Sequence, residues 1–153
     1  MSDLSGRCFC GAVRYSARPS KRLFVACHCR DCQYASGGAP ANVVVVPRSH
    51  FTLEAGGDTL GAFTCIADSG RQVTRKFCLT CGTPMFEDLE AVPEFILVKA
   101  GTVDDQSGLS TDAAVWTASA QPWSEISDHY PSFPGEIPQS VVAAAFSETP
   151  KDQ

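Results

Sequence analysis

The chain is short of positive charge. Its 12 lysines and arginines face 17 aspartates and glutamates, a net charge of −5 over 153 residues, the wrong sign for holding nucleic acid or an anionic bilayer by counterion release. No run approaches the ~18 apolar residues that a membrane-spanning helix needs. Residues 1–7 lack the basic region and apolar stretch of a secretory signal. The expectation is a cytoplasmic protein whose partners include neither nucleic acid nor a membrane. A phosphate loop, a G-x-G-x-x-G turn and a G-x-S-x-G elbow are all missing, so nucleotide chemistry and serine hydrolysis lose support. Helical periodicity is also scarce: before residue 135, apolar residues do not recur at helix spacing for more than about two turns.

What is present is a series of short strand patterns. Residues 12–17 alternate apolar and polar, and 22–26, 41–46, 51–53, 61–66, 72–77 and 94–100 read as further strands, with glycines and Pro93 supplying turns. The Val-rich run at 41–46 is short and β-branched, which fits a buried strand. Residues 139–146 read as one short amphipathic helix or as tail, before a polar terminus. The length matches one domain of about 150 residues. We read it as an all-β domain over 1–135 with an extension over 136–153. Short strands with little helix gain stability from clips between distant segments, and metals supply such clips.

Eight cysteines are present, and seven fall into three groups: Cys8 and Cys10 as C-x-C, Cys27, Cys29 and Cys32 as C-x-C-x-x-C, and Cys78 and Cys81 as C-x-x-C. In a reducing compartment, such spacing marks metal ligands or redox groups more than structural disulfides. Two pairs add to a tetrahedral four-sulfur zinc site. Gly11 after Cys10 and Gly82 after Cys81 allow the positive φ that aims backbone N–H groups at sulfur. This joins Cys8 and Cys10 to Cys78 and Cys81, the alternatives being a redox C-x-x-C or a reversible disulfide. Cys27, Cys29 and Cys32 are three, and three protein ligands leave zinc an open position for ligand exchange or catalysis. Closure of that second site by His28 or Cys65 is the alternative. His28 lies between two ligand cysteines, so in extended chain its side chain points away from their metal, as an outer-shell or surface group. Cys65, in an apolar strand, reads as a small buried hydrophobe. A nucleophilic thiol needs a histidine nearby, and the spacing of His28, His50 and His129 provides none.

Residues 6–15, Gly-Arg-Cys-Phe-Cys-Gly-Ala-Val-Arg-Tyr, then Cys27-His-Cys-Arg-Asp-Cys32 with Gly37 behind it, then Arg75-Lys-Phe-Cys78-Leu-Thr-Cys81-Gly-Thr-Pro84, resemble the glutathione-dependent formaldehyde-activating enzyme family. The resemblance continues through residues 101–105 and 120–123 and covers about 6 to 135. It implies an Mss4-like (β-tent) fold of small antiparallel sheets around two zincs. Cys8, Cys10, Cys78 and Cys81 would take the structural zinc. Cys27, Cys29 and Cys32 would hold the catalytic zinc, which is the more easily lost. It also implies a carbon–sulfur lyase-type activity, the condensation of glutathione with formaldehyde to S-hydroxymethylglutathione. In one departure, Ala114-Val115 stands where many members carry a His-Ile-type pair.

A glutathione-like thiol carries carboxylates that need cationic or N–H partners, and Arg30, Arg48, Arg71 and Arg75 are the candidates. Two rivals to the enzyme remain. One is a non-catalytic zinc module with a protein-binding patch drawn from Trp116, Trp123, Tyr130 and Phe133, whose simpler role is to pack a loop over the sheets. The other is a thiol redox protein using the middle cysteines. A homo-oligomer stays open.

Overall fold

The alternating patterns become strands of two sheets in the computed structural model, which describes residues 3–19 and 21–147. Strands β1 (Leu4–Arg7), β2 (Arg14–Ala17) and β5 (Phe51–Ala55) form a three-stranded antiparallel sheet in the order β1-β2-β5. The larger sheet has the order β10-β3-β4-β9-β8-β7-β6 and contains β3 (Leu23–Cys27), β4 (Ala41–Pro47), β6 (Leu60–Ile66), β7 (Gln72–Cys78), β8 (Pro84–Leu89), β9 (Phe95–Lys99) and β10 (Ala113–Val115). All its pairings are antiparallel except β10 with β3. Two short α-helices, α1 (Arg30–Ser36) and α2 (Gln139–Phe146), complete a mostly β chain. None of the described helices is long and apolar enough to cross a membrane.

One face of the large sheet packs against the small sheet. Val44, Val46, Phe86, Ile96 and Val98 meet Leu4, Val13, Tyr15 and Ala17, all buried. Tyr15 anchors that interface: its ring stacks on Phe51 and meets Phe86 edge-on, at 5.7 and 5.3 Å between centroids, and its hydroxyl bonds to Thr102 Oγ1 at 2.9 Å. The opposite face divides in two. At one end Leu23, Val25, Val43, Leu97 and Val115 form a second core under Trp116, Phe133 and the α2 residues Val142, Ala145 and Phe146. Residues 139–146 are therefore a helix that buries part of its apolar surface. Trp116 and Phe133 take the packing role, while Trp123 is 68% exposed.

The other end of this face is polar. Antiparallel register puts residues opposite one another on the same side of the sheet, so Phe63, Arg75 and Glu87 project together, from the pairs Phe63–Arg75 and Arg75–Glu87. Lys99 joins them from β9 by an ion pair to Glu87. Helix α1 stands beside this end and was not legible in the chain. It has two turns, and its cap is Cys29 in place of the usual Ser, Thr, Asp or Asn, with Sγ accepting from Cys32 N–H at 3.3 Å. Gly37, at φ 70°, ends the helix by donating its N–H to the Gln33 carbonyl.

Candidate metal centres and the adjoining cleft

The first and last cysteine pairs converge. The sulfurs of Cys8, Cys10, Cys78 and Cys81 all lie within 4.8 Å of one another, with Cys8 and Cys10 3.5 Å apart and Cys10 and Cys78 3.8 Å apart. A tetrahedral zinc with Zn–S bonds near 2.3 Å requires sulfurs roughly 3.8 Å apart, so the donor set fits that ion. All eight cysteines are free thiols.

The two pairs sit in matching turns. Cys8 N–H bonds to the Val13 carbonyl and Cys78 N–H to the Thr83 carbonyl, both five residues on, at 3.1 and 2.9 Å. Gly11 and Gly82 donate back to the carbonyls of Cys8 and Cys78 at 3.0 and 2.8 Å, with φ of 81° and 76°. Further donors point at sulfur: Val13 N–H reaches Cys8 Sγ at 3.3 Å, and the Thr83 hydroxyl lies 3.1 Å from Cys81 Sγ. The Thr83 hydroxyl also pushes the Cys81 pKa down to about 5, favouring the thiolate that a metal binds. Because Cys8 follows β1 of the small sheet and Cys78 ends β7 of the large one, this cluster clips the two sheets together.

The middle group forms a separate cluster. Cys27, Cys29 and Cys32 bring their sulfurs within 4.8 Å of one another, and neither His28 nor Cys65 joins them. Cys27 ends β3, Cys29 caps α1, and Cys32 lies in its first turn. The Cys29 pKa is driven down because the Cys27 and Cys32 thiols donate to it, with Cys32 N–H and the Arg75 charge adding to the effect. Cys27 and Cys32 are pushed up correspondingly. Beneath the cluster Gln33, 6% exposed, donates to the carbonyls of His28 at 2.8 Å and Ser119 at 3.0 Å and accepts from Gln121 Nε2 at 3.0 Å. It thereby fixes the cysteine loop to the segment after β10.

The surface alternative for His28 and the core reading of Cys65 do not hold. His28 is 1% exposed, not a surface group, and neither ring nitrogen has a partner; burial lowers its pKa. Its backbone N–H is drawn inward by the Val115 carbonyl, at 2.9 Å. Cys65 is not a core hydrophobe: it is half-buried, accepts a bond from Arg75 Nη1 at 3.3 Å, and lines a cleft. Its place on an edge strand keeps that side of it open.

That cleft has a volume of about 380 Å³. Helix α1 contributes Asp31 and Tyr34 to its lining, β6 contributes Phe63 and Cys65, and Arg75 and Lys99 bring charge. Arg75 approaches Glu87 at 3.6 Å, and Glu87 also pairs with Lys99. The side chains of Arg75, Glu87 and Lys99 are only 14%, 4% and 9% exposed, so two cations share one carboxylate and the group carries a net charge of +1. Of the four arginines considered, Arg75 alone lines this cleft. Arg48 is held by Asp88 and the Pro93 and Phe95 carbonyls, Arg71 by Glu136, and Arg30 by Gln33 and the Tyr34 ring. Glu87 and Lys99 had an available signal, since each is a charged residue within an otherwise largely apolar strand.

Among solved structures, the crystal structure of a Rhodobacter sphaeroides protein, a structural-genomics target, superposes with a TM-score of 0.53 at 20% identity. The match covers 69% of this chain and 90% of that one, and at such identity the likeness concerns the fold. The family model described as glutathione-dependent formaldehyde-activating enzyme matches residues 3–119, a span that contains all seven clustered cysteines and every charged residue of the cleft. By that match the chain belongs to the glutathione-dependent formaldehyde-activating enzyme family.

Proposed function

We propose that this protein is a zinc-dependent carbon–sulfur lyase-type enzyme that joins a glutathione-like thiol to formaldehyde. The observation that carries the reading is the pairing of a three-thiol cluster with a cleft through one residue: Arg75 lines the cleft and its charge acts on Cys29 and Cys32. Cys8, Cys10, Cys78 and Cys81 would hold a structural zinc, and Cys27, Cys29 and Cys32 a second zinc with one position left for substrate. A zinc bound there would act as a Lewis acid that lowers the pKa of an incoming thiol.

The chain's own residues do the rest. Three thiolates around a divalent ion sum to −1, and the +1 carried by Arg75, Glu87 and Lys99 offsets that charge in a poorly solvated place, where such balance matters most. Arg75 is also the cation best placed for a substrate carboxylate, which its guanidinium can grip with two parallel N–H bonds. Phe63, Phe77 and Phe86 wall the cleft and reduce its water content. In the overall reaction a carbon–sulfur bond forms, the thiol S–H bond breaks, and its proton ends on the former carbonyl oxygen.

Two measurements test this. Zinc analysis under reducing conditions is expected to give close to two zincs per chain, and close to one in Cys29→Ala. Thiols add to formaldehyde unaided, so catalysis is best read by NMR exchange spectroscopy at equilibrium, where exchange between glutathione and its hydroxymethyl adduct should accelerate in proportion to protein and lose that acceleration in Cys29→Ala. One zinc throughout, or exchange indifferent to the protein, overturns the reading.

A further inference from the structure

Each sheet ends in two edges, and among the described residues three of these four are blunted. β1 is four residues long, ends in Arg7, and is covered by a bridge from Gly6 to Val103 and a bond from Asp104 N–H to the Ser5 carbonyl at 2.9 Å. β5 carries a charge, Glu54, bonded by the Ser16 hydroxyl. β10 is three buried residues, and its outer side is paired by the Pro131 carbonyl, at 3.0 Å from Ala114 N–H, and by Phe133 N–H, at 2.9 Å from the Ala114 carbonyl. Short length, charge and cover are the usual protections of a sheet edge.

β6 has none of them. Its seven residues, Leu-Gly-Ala-Phe-Thr-Cys-Ile, include no charge and no proline and pair with β7 without a bulge. Ala62, Phe63, Thr64 and Ile66 are exposed, Phe63 at 62% and Ile66 at 66%. The ladder shows which backbone groups are free. Leu79 N–H bonds to the Thr59 carbonyl and Ala67 N–H to the Arg71 carbonyl, and hydrogen-bonded pairs alternate along an antiparallel ladder. Gly61, Phe63 and Cys65 therefore bond inward to β7, and Leu60, Ala62, Thr64 and Ile66 direct their N–H and C=O groups outward.

We propose that β6 is a dimerisation edge that pairs antiparallel with β6 of a second copy about a two-fold axis at Phe63. In that register Leu60 faces the partner's Ile66 and Ala62 faces the partner's Thr64, with the reciprocal pairs following by symmetry. The register sets Leu60 against Ile66, apolar on apolar, and brings the exposed Phe63 rings together with no charge to oppose itself, and this apolar match favours a second copy over an unrelated extended peptide. Phe63 then meets the partner's Phe63 at a non-hydrogen-bonded pair, where side chains of opposed strands lie closest. Phe63 also lines the cleft, so the partner's ring would stand at its mouth. A contact roughly 24 Å long is small for a protein interface, and the dimer is expected to depend on concentration. The inference is independent of the zinc-enzyme reading.

Sedimentation velocity over a concentration series under reducing conditions tests it. The wild type is expected to move from the 16.3 kDa chain mass to twice that mass. Ala62→Lys with Thr64→Lys sets lysine opposite lysine in the proposed register and should leave a monomer. Ala62→Lys with Thr64→Glu sets opposite charges there and should restore the dimer. Circular dichroism and zinc content, unchanged in both variants, establish that they fold. A wild type that stays monomeric to millimolar concentration overturns the proposal, as does a dimer that survives the double lysine variant or one that the Lys/Glu variant fails to restore.

Discussion

Arg75 Nη1 donates to Cys65 Sγ at 3.3 Å, and this bond holds the eighth cysteine in the cleft lining, outside the three-thiol cluster. The same guanidinium carries a charge felt by Cys29 and Cys32. Cys65 thus belongs to the wall of the cleft.

Replacing Cys65 with alanine is therefore expected to leave metal content unchanged, since three thiols remain together. Metal analysis of Cys65→Ala beside Cys29→Ala checks this: the first should match the wild type and the second should lose about one metal per chain. A loss in Cys65→Ala would mean that the strand shifts to complete a closed four-sulfur site.

Glu87 is the single anion between two buried cations. Glu87→Gln keeps the shape and leaves Arg75 and Lys99 facing each other uncompensated, and breaking a buried pair in this way costs about 3–5 kcal/mol. A folded domain is stable by only about 5–15 kcal/mol in total, so a large fall in melting temperature is expected. Glu87→Gln with Lys99→Met removes one cation as well and should recover part of the loss, which identifies charge and not packing as the cause.

The four-sulfur cluster should govern folding itself. Zinc binding to structural sites is worth about 10–16 kcal/mol in small zinc-finger peptides, more than a typical domain's net stability. Cys78 is fully buried where the sheets are clipped, and Cys78→Ala is expected to yield an unfolded or insoluble chain. Cys29→Ala, at the other cluster, should fold. Far-UV circular dichroism of the two purified variants, with and without a chelator, separates the roles.

How much of this was readable in the chain depended on whether the cause was local. Ala41–Pro47 is β-branched and short, and its strand follows directly. The two cysteine turns announced themselves because each pairs a C-x-C or C-x-x-C with the glycine its geometry needs. The three residues of β10 carry no such signal: Ala113–Val115 is a strand because β3 pairs it on one side and residues 131–133 on the other. Helix α1 was missed because a cysteine caps it and two turns show little period. The meeting of Cys65, Arg75, Glu87 and Lys99 depends on strand register, which the sequence pattern alone leaves open.

Tyr15 provides a test in alkaline solution. Burial, with a smaller contribution from nearby Asp104, outweighs the bond to Thr102 and pushes its hydroxyl up to about 12, against 10 for an ordinary tyrosine. In the folded state the neutral form is therefore retained, while the unfolded chain ionises about two pH units earlier. Below pH 10 both states hold the proton and stability is unaffected. Between pH 10 and 12 the folded state binds more proton than the unfolded one, so stability falls as pH rises, by roughly 2–3 kcal/mol over the interval. Tyr15→Phe cannot ionise and should lose that part of the slope, while starting from a lower plateau because the bond to Thr102 Oγ1 is gone and Thr102 keeps only the Lys99 carbonyl, at 2.7 Å. Urea unfolding at a series of alkaline pH values, compared between wild type and Tyr15→Phe, measures the difference. Parallel slopes would mean that solvent reaches the Tyr15 hydroxyl in the folded protein.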